Sequence, residues 1–188
     1  MDIQITQQLL ERLAGLLRSE GRSLLLEHGL QPVQFEALHY LSMCNRYSDT
    51  PMGVTEFLGQ TKGSVSQSLK ILEKKGLITK MPDSKDKRVT HMQVTDAGRA
   101  VIAALLPSPQ LLAAQALCDT QDIECLNTQL RALLTAMQRA NQFRTFGQCA
   151  SCVHNLPMEE GDFLCRLTNE RLSAQDVTLI CREHEPKT

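Results

Sequence analysis

The sequence predicts a mainly α fold: a winged helix-turn-helix with a small β-hairpin, flanked by long N- and C-terminal helices and followed by a short irregular tail. Three patterns predict it. Apolar residues recur at helical spacing in most segments before residue 145. One pair of closely spaced helices runs straight into two short alternating stretches joined by a polar turn. After residue 145 the helical period stops, and turn formers and cysteines take over.

Ile5, Leu9, Leu13, Leu16 and Leu17 mark the apolar stripe of a first helix, which runs on to Leu24–Leu26. Gly29 ends it, and Pro32 suits the first turn of the next. Val33, Phe35, Leu38, Leu41 and Met43 carry that second helix, and "NRYSDTPMG" reads as a loop. Val54, Phe57 and Leu58 form a short helix, and Gly59-Gln60 make a tight turn. Thr61 is placed to cap a helix whose inner stripe is Val65, Leu69 and Leu72. Gly76 ends it, with Lys74 and Lys75 at the negative end of the helix dipole. "LITKM", "PDSKDKR" and "VTHMQVT" read as strand, turn and returning strand, alternating at Val89, His91 or Met92, and Val94. Thr95 caps a helix through Ala97–Leu106. Pro107 and Pro109 interrupt or kink it, and it resumes through Leu111, Leu112 and Leu117. Ile123, Leu126, Leu130, Leu133, Leu134 and Met137 define a last long helix. The expected boundaries are a domain over 1–145 (helix-turn-helix about 53–76, wing about 77–94, long helices about 3–27 and 120–143) and a cysteine-rich tail over 146–188.

The net charge of −1 hides an asymmetry. Between Lys62 and Arg99 nine Lys and Arg face four acids, about +5, whereas Phe146 to Thr188 holds four bases and seven acids, about −3. Only the middle suits an anionic partner. Neither a signal-peptide pattern nor a run of eighteen apolar residues is visible, so a cytoplasmic chain without a membrane partner is expected. No paired His/Glu/Asp constellation, phosphate-cradling glycine loop or nucleophile elbow points to an enzyme.

With Val65, Leu69 and Leu72 turned inward, Thr61, Lys62, Ser64, Ser66, Gln67 and Lys70 lie on or beside the outward face. A helix fits the DNA major groove, where Ser64, Ser66, Gln67 and Lys70 could reach base edges. The wing tip would bring Lys85, Lys87 and Arg88 to phosphates or an adjacent minor groove. Double-stranded DNA is therefore the expected partner. The plainer alternative is a solvated charged face on an ordinary helical protein.

"VTEFLGQTKGSVSQSLKILEKKGLI" and "PDSKDKRVTHMQVTDAGRA" resemble the MarR family of winged-helix regulators. Asp83, Asp86 and Arg88 match the family's D-x-x-D-x-R wing motif. Val94, Thr95 and Gly98 match the start of its next helix, and Gly76-Leu77-Ile78 its recognition-helix end. The resemblance spans about residues 5–143. It implies a homodimer whose N-terminal and last helices interdigitate, a palindromic operator and a repressor relieved by a ligand or by redox chemistry. The apolar stripes of 3–27 and 120–143, too large for the small core to cover, independently favour self-association. The resemblance also allows an effector pocket, for which His39, Tyr40 and Tyr47 are candidates, with interface packing as the alternative.

The tail departs from the family pattern. Its spacing is Cys149-x2-Cys152-x12-Cys165-x15-Cys181. A C-x2-C pair lets two thiolates reach one metal, and two later thiolates complete a tetrahedron suited to Zn²⁺ or to an Fe–S cluster. The segment has little apolar content, so it is expected to need a staple, which gives the fold class its metal-bound tail. Reduced or disulfide-switching thiols are the alternative, and His154 and His184 are spare ligand candidates, read first as exposed non-ligands. Cys118 and Cys125 are expected to pack as small apolar residues, and Cys44 to be a candidate reactive thiol. Two other functions remain open: a redox or electron-transfer Fe–S protein on a helical scaffold, and a small-molecule sensor with an inert zinc tail.

Overall fold

A computed structural model of the protein describes residues 2–140, 145–158 and 161–187; the end of the predicted helix 120–143 lies outside them. The helices are α1 (Ile3–Glu27), α2 (Pro32–Met43), α3 (Pro51–Leu58), α4 (Lys62–Lys74), α5 (Asp96–Leu105), α6 (Pro109–Gln115) and α7 (Thr120–Ala140). The strands are β1 (Ile78–Pro82), β2 (Thr90–Val94), β3 (Gly147–Gln148), β4 (Asn155–Pro157), β5 (Phe163–Cys165), β6 (Glu170–Leu172) and β7 (Ile180–Cys181). β1 and β2 pair antiparallel from Ile78↔Val94 to Pro82↔Thr90. In the tail β3 pairs with β7, and β4-β5-β6 form a small meander.

Helix caps set most boundaries. Thr61 Oγ1 accepts from the Ser64 N–H and Thr95 Oγ1 from the Gly98 N–H, as predicted. Each such cap is worth about 1 kcal/mol. Helix α3 starts earlier than predicted, inside the segment read as a loop. Thr50 accepts from the Gly53 N–H and Pro51 occupies the first turn, where its missing N–H costs nothing. Gly59 and Gly76 take the left-handed conformation that stops α3 and α4. Three further expectations are corrected. Val89 precedes β2, because its N–H closes the wing turn on Asp86 O. Helix α5 stops at Leu105, before Pro107, and α6 ends at Gln115, leaving Leu117 outside it and 89% exposed.

The core lies between α2, α3, α4 and the wing. Leu38, Tyr40, Val54, Val65, Leu69, Leu72 and Ile78 are sealed there, joined by Met92 and Val94. Tyr40 stacks on Phe57, and Phe146, from the start of the tail, packs edge-on against both rings. Around this core the long helices remain bare. Among the described residues, α7 buries no side chain, and α1 buries only Leu25. Ile5, Leu9 and Leu13 of α1 and Leu126, Leu134 and Met137 of α7 are exposed. Cys118 and Cys125 share that exposure instead of packing as predicted. No single helix among the described residues is long and apolar enough to cross a membrane.

The tail has its own small core of Cys149, Leu172 and Val177, with Tyr47, Phe163, Cys165 and Cys181 against it. Tyr47 belongs to the turn between α2 and α3. The winged helix thus supplies part of the packing that the tail's own sequence lacks.

Candidate nucleic-acid interface and thiol site

Helix α4 turns its inner stripe into the core and its other face to solvent. Thr61, Lys62, Ser66, Gln67 and Lys70 are exposed, and Ser64 is half-buried. Ser68, not singled out in the sequence, is buried beside Leu69. The Thr61 hydroxyl is engaged in capping the helix, so its part in any interface is to fix the helix start.

The wing tip is organised by its two aspartates. Asp83 accepts the N–H groups of Lys85 (2.7 Å) and Asp86 (2.6 Å), which hold its carboxyl at about 2. Asp86 accepts the Arg88 N–H (3.0 Å) and grips its guanidinium (2.8 and 3.0 Å), which lowers its own pKa. The D-x-x-D-x-R motif therefore works first as turn chemistry. Arg88 remains exposed at the tip, but it carries an intramolecular partner. Lys85 is likewise engaged, 3.2 Å from Glu170 of the tail. At the wing base, His91 bridges two carboxylates, with Nδ1 2.5 Å from Asp49 and Nε2 3.1 Å from Asp83. Hydrogen bonding to Asp49 raises its pKa, against partial burial.

The four tail cysteines come to one end of the fold. Cys149 and Cys181 lie at the same small core, and their proximity raises the pKa of Cys149 and lowers that of Cys181. Cys152 lies close enough for its charge to raise Cys149 further, and Cys165 packs into the same small core. Among the described residues, no three His, Cys, Asp or Glu side chains converge closely enough to hold a metal ion. His184 is buried, not exposed as expected. Its Nδ1 lies 2.6 Å from the Thr145 hydroxyl and its Nε2 2.9 Å from that of Ser151, so both ring nitrogens are engaged. His154 is half-buried, 3.4 Å from Glu185. Cys44 is a poor reactive thiol: burial pushes it up to about 12, and its Sγ points at Leu41 O.

Residues that sequence reasoning missed join the two halves. The Asn45 N–H donates to Ile180 O (2.9 Å), and its side-chain amide donates to Cys149 Sγ (3.4 Å). Ser48 Oγ accepts the Arg182 N–H (2.8 Å), and the Arg182 guanidinium forks onto Glu56 of α3 (2.7 and 2.9 Å). Glu170 accepts from Tyr47 (2.6 Å) as well as Lys85. None of these carried a local signal, because each partner lies far away in sequence.

The candidate effector residues are also redistributed. Tyr40 is a core residue whose hydroxyl donates to Ser48 O (2.9 Å), His39 stacks on Phe35, and Tyr47 faces the tail. An apolar cavity of about 410 Å³ opens elsewhere, between α1, α2 and the α5–α6 bend, lined by Leu17, Leu24, Phe35, Leu105, Pro107 and Leu111.

Residues 28–89, from the end of α1 to the wing turn, match the sequence model of the MarR family. In this stretch the chain is similar to the winged helix of that family. The curated Transcriptional repressor MprA of Escherichia coli K12 is 26% identical over 147 residues, covering 73% of this chain and 84% of its own. The transcriptional regulator Tm0710 of Thermotoga maritima is 25% identical, covers 74% and 98% of the two chains and superposes with a TM-score of 0.54. The Staphylococcus aureus MepR–DNA complex, 22% identical over 69% and 96%, shares the fold at a TM-score of 0.54. The MarR-family match stops at residue 89, well short of the cysteine tail.

Proposed function

We propose that this MarR-type chain is a DNA-binding transcriptional regulator, a dimeric repressor of a palindromic operator, whose tail cysteines hold a metal. The observation that carries the reading is helix α4. Its inner stripe is sealed in the core while Lys62, Ser66, Gln67 and Lys70 stand free beside a basic wing. Such a helix can enter the major groove, with the wing against the backbone. MepR, of the same fold, is solved with DNA, and MprA is named as a repressor. The bare apolar faces of α1 and α7 fit a second copy, which would set two α4 helices at matching half-sites.

The test is fluorescence anisotropy on duplexes selected by the protein from a random pool. Binding with a steep salt dependence and a palindromic consensus supports the reading; salt-independent binding, or none, refutes it. Sedimentation must show a dimer at the binding concentration.

For the tail, the donor set of Cys149, Cys152, Cys165 and Cys181 suits Zn²⁺ or an Fe–S cluster. Among the described residues no three of these side chains converge, so enclosing an ion would require them to move together. Metal and sulfide analysis of anaerobically purified protein decides between them. One colourless zinc per chain identifies a closed thiolate site, and iron with acid-labile sulfide a cluster. The Cys149→Ser/Cys152→Ser chain should bind neither; full stoichiometry there would exclude these ligands.

A further inference from the structure

Three segments meet at His91. The residue stands on wing strand β2, and its side chain is 19% exposed. Nδ1 lies 2.5 Å from Asp49, in the turn that leads into helix α3, and Nε2 lies 3.1 Å from Asp83, where the wing turn begins. Each aspartate also holds its own surroundings. The Asp49 carbonyl accepts the Met92 N–H (2.7 Å), next to His91 on the strand. The Asp83 carboxylate accepts the N–H groups of Lys85 and Asp86, and Asp86 in turn grips Arg88. One ring thus sits between the entry to the helix-turn-helix and the turn that carries Lys85, Lys87 and Arg88.

The full bridge needs a proton. A neutral imidazole has one N–H and can donate to one carboxylate, whereas an imidazolium donates to both. Hydrogen bonding to Asp49 raises the ring above its ordinary 6.5, burial opposes the rise, and the bond to Asp83 adds to it. Burial raises the Asp49 carboxyl and the His91 bond lowers it, so a carboxylate that is 14% exposed leans on this cation. The other charged groups on the elements packed around the ring are engaged elsewhere. Lys80 of β1 is on Glu73, Lys85 and Asp86 of the wing turn are on Glu170 and Arg88, Glu56 of α3 is on Arg182, and Arg99 and Asp96 of α5 hold each other. Lys87 and Glu36 of α2 are exposed, and His39 of α2 stacks on Phe35.

Resting on the DNA reading above, we propose that His91 is a positioning residue for DNA: as an imidazolium it ties the wing turn to the entry of α3, and DNA affinity falls when it gives up that proton. His91 lies at the wing base and acts through Asp83 on the basic tip. The protonated chain is the tight-binding state. Losing one of the two bonds frees the wing turn from the helix pair, and the apparent affinity drops by the fraction of chains that keep the wing in place. The effect is limited to about fivefold, the order of one net hydrogen bond.

The experiment measures the dissociation constant of the full-length protein for the selected duplex, at fixed ionic strength, from about pH 6 upwards. Wild type should weaken about fivefold as pH rises above about 6.5. His91→Gln should bind at the weaker level throughout, with that change gone from its profile. Loss of a positive charge alone would also weaken binding, so Asp49→Asn separates the two causes. It removes a negative charge, which by simple attraction to DNA would tighten binding. It also removes one charged anchor of the bridge, which should weaken binding at about pH 6 and flatten the profile. Asp49→Asn keeps the backbone bond to Met92 and carries the test if His91→Gln does not fold. Tighter binding by Asp49→Asn, or a wild-type profile in folded His91→Gln, overturns the proposal. A flat profile in wild type overturns it while leaving DNA binding intact. A wild-type chain that binds no duplex overturns it together with the DNA reading beneath it.

Discussion

Gly53→Ala probes how tightly the turn into α3 is packed. A Cβ at Gly53 would come inside 3.0 Å of the Ser48 carbonyl oxygen and within 2.9 Å of the Tyr40 hydroxyl. Neither neighbour is the loose end of a flexible side chain. The carbonyl is backbone and accepts the Tyr40 hydroxyl at 2.9 Å, and the Tyr40 ring is held by Phe57 and Phe146. Ordinary contact begins at 3.4 Å, so the carbonyl would have to retreat by about 1 Å. Overpacking of this kind costs about 1–3 kcal/mol, and loss of the Tyr40 bond adds about 1 kcal/mol. Against this, alanine is the better helix former by at most about 1 kcal/mol, less in the first turn of an eight-residue helix. The net expectation is a loss of about 2 kcal/mol, or about 4–8 °C in melting temperature for a chain of this size. Gly63→Ala in α4 is the control: an added Cβ there meets nothing within 4 Å, so its melting point should hold or rise slightly. Calorimetric melts of the three proteins in one buffer decide the matter. A Gly53→Ala protein melting at or above wild type would refute the packing argument.

Other consequences are quicker to check. Lys87→Ala with Arg88→Ala should weaken binding to all duplexes alike and flatten the salt slope by about one to two; unchanged affinity at low salt would remove the wing from the interface. Gln67→Ala should alter sequence preference more than total affinity, read by competition among operator variants; a uniform loss would make Gln67 a phosphate contact. His91 donates to both Asp49 and Asp83 only as an imidazolium, and its pKa is raised in the folded chain. Its contribution to stability is therefore complete below its unfolded value of about 6.5 and is lost as pH rises through the folded one. His91→Gln should remove that component of the melting-temperature profile, which appears as pH rises above about 6.5; an unchanged profile would show that the bridge has no energetic weight.

The helices were legible because their signals are local. Thr61 with Val65, Leu69 and Leu72 is a cap followed by a stripe, and the same logic found Thr95 and Gly76. Thr50 and Pro51 were the same kind of signal, hidden inside a run of residues that usually mark loops. In the tail the sequence carried composition and spacing but no partners. Asn45, Ser48 and Glu56 act on the tail across 104 to 134 residues of chain, and only the folded chain brings them to it.

The same blindness affects charge. Nine bases against four acids between Lys62 and Arg99 suggested a basic region of about +5. In the folded chain Lys80 sits on Glu73, Lys85 on Glu170, Arg88 on Asp86 and Arg99 on Asp96. The acidic tail thus reaches the wing: Glu170 holds the Lys85 ammonium and the Tyr47 hydroxyl together, so a phosphate must compete with a carboxylate for that lysine. Only bases that bring uncompensated charge release counterions in full, each adding about 0.9 to the salt slope. A slope near eight per protomer would mean that all four pairs open on DNA, Lys85–Glu170 among them. A slope nearer four or five would mean that they persist, with the tail still seated on the wing in the bound state.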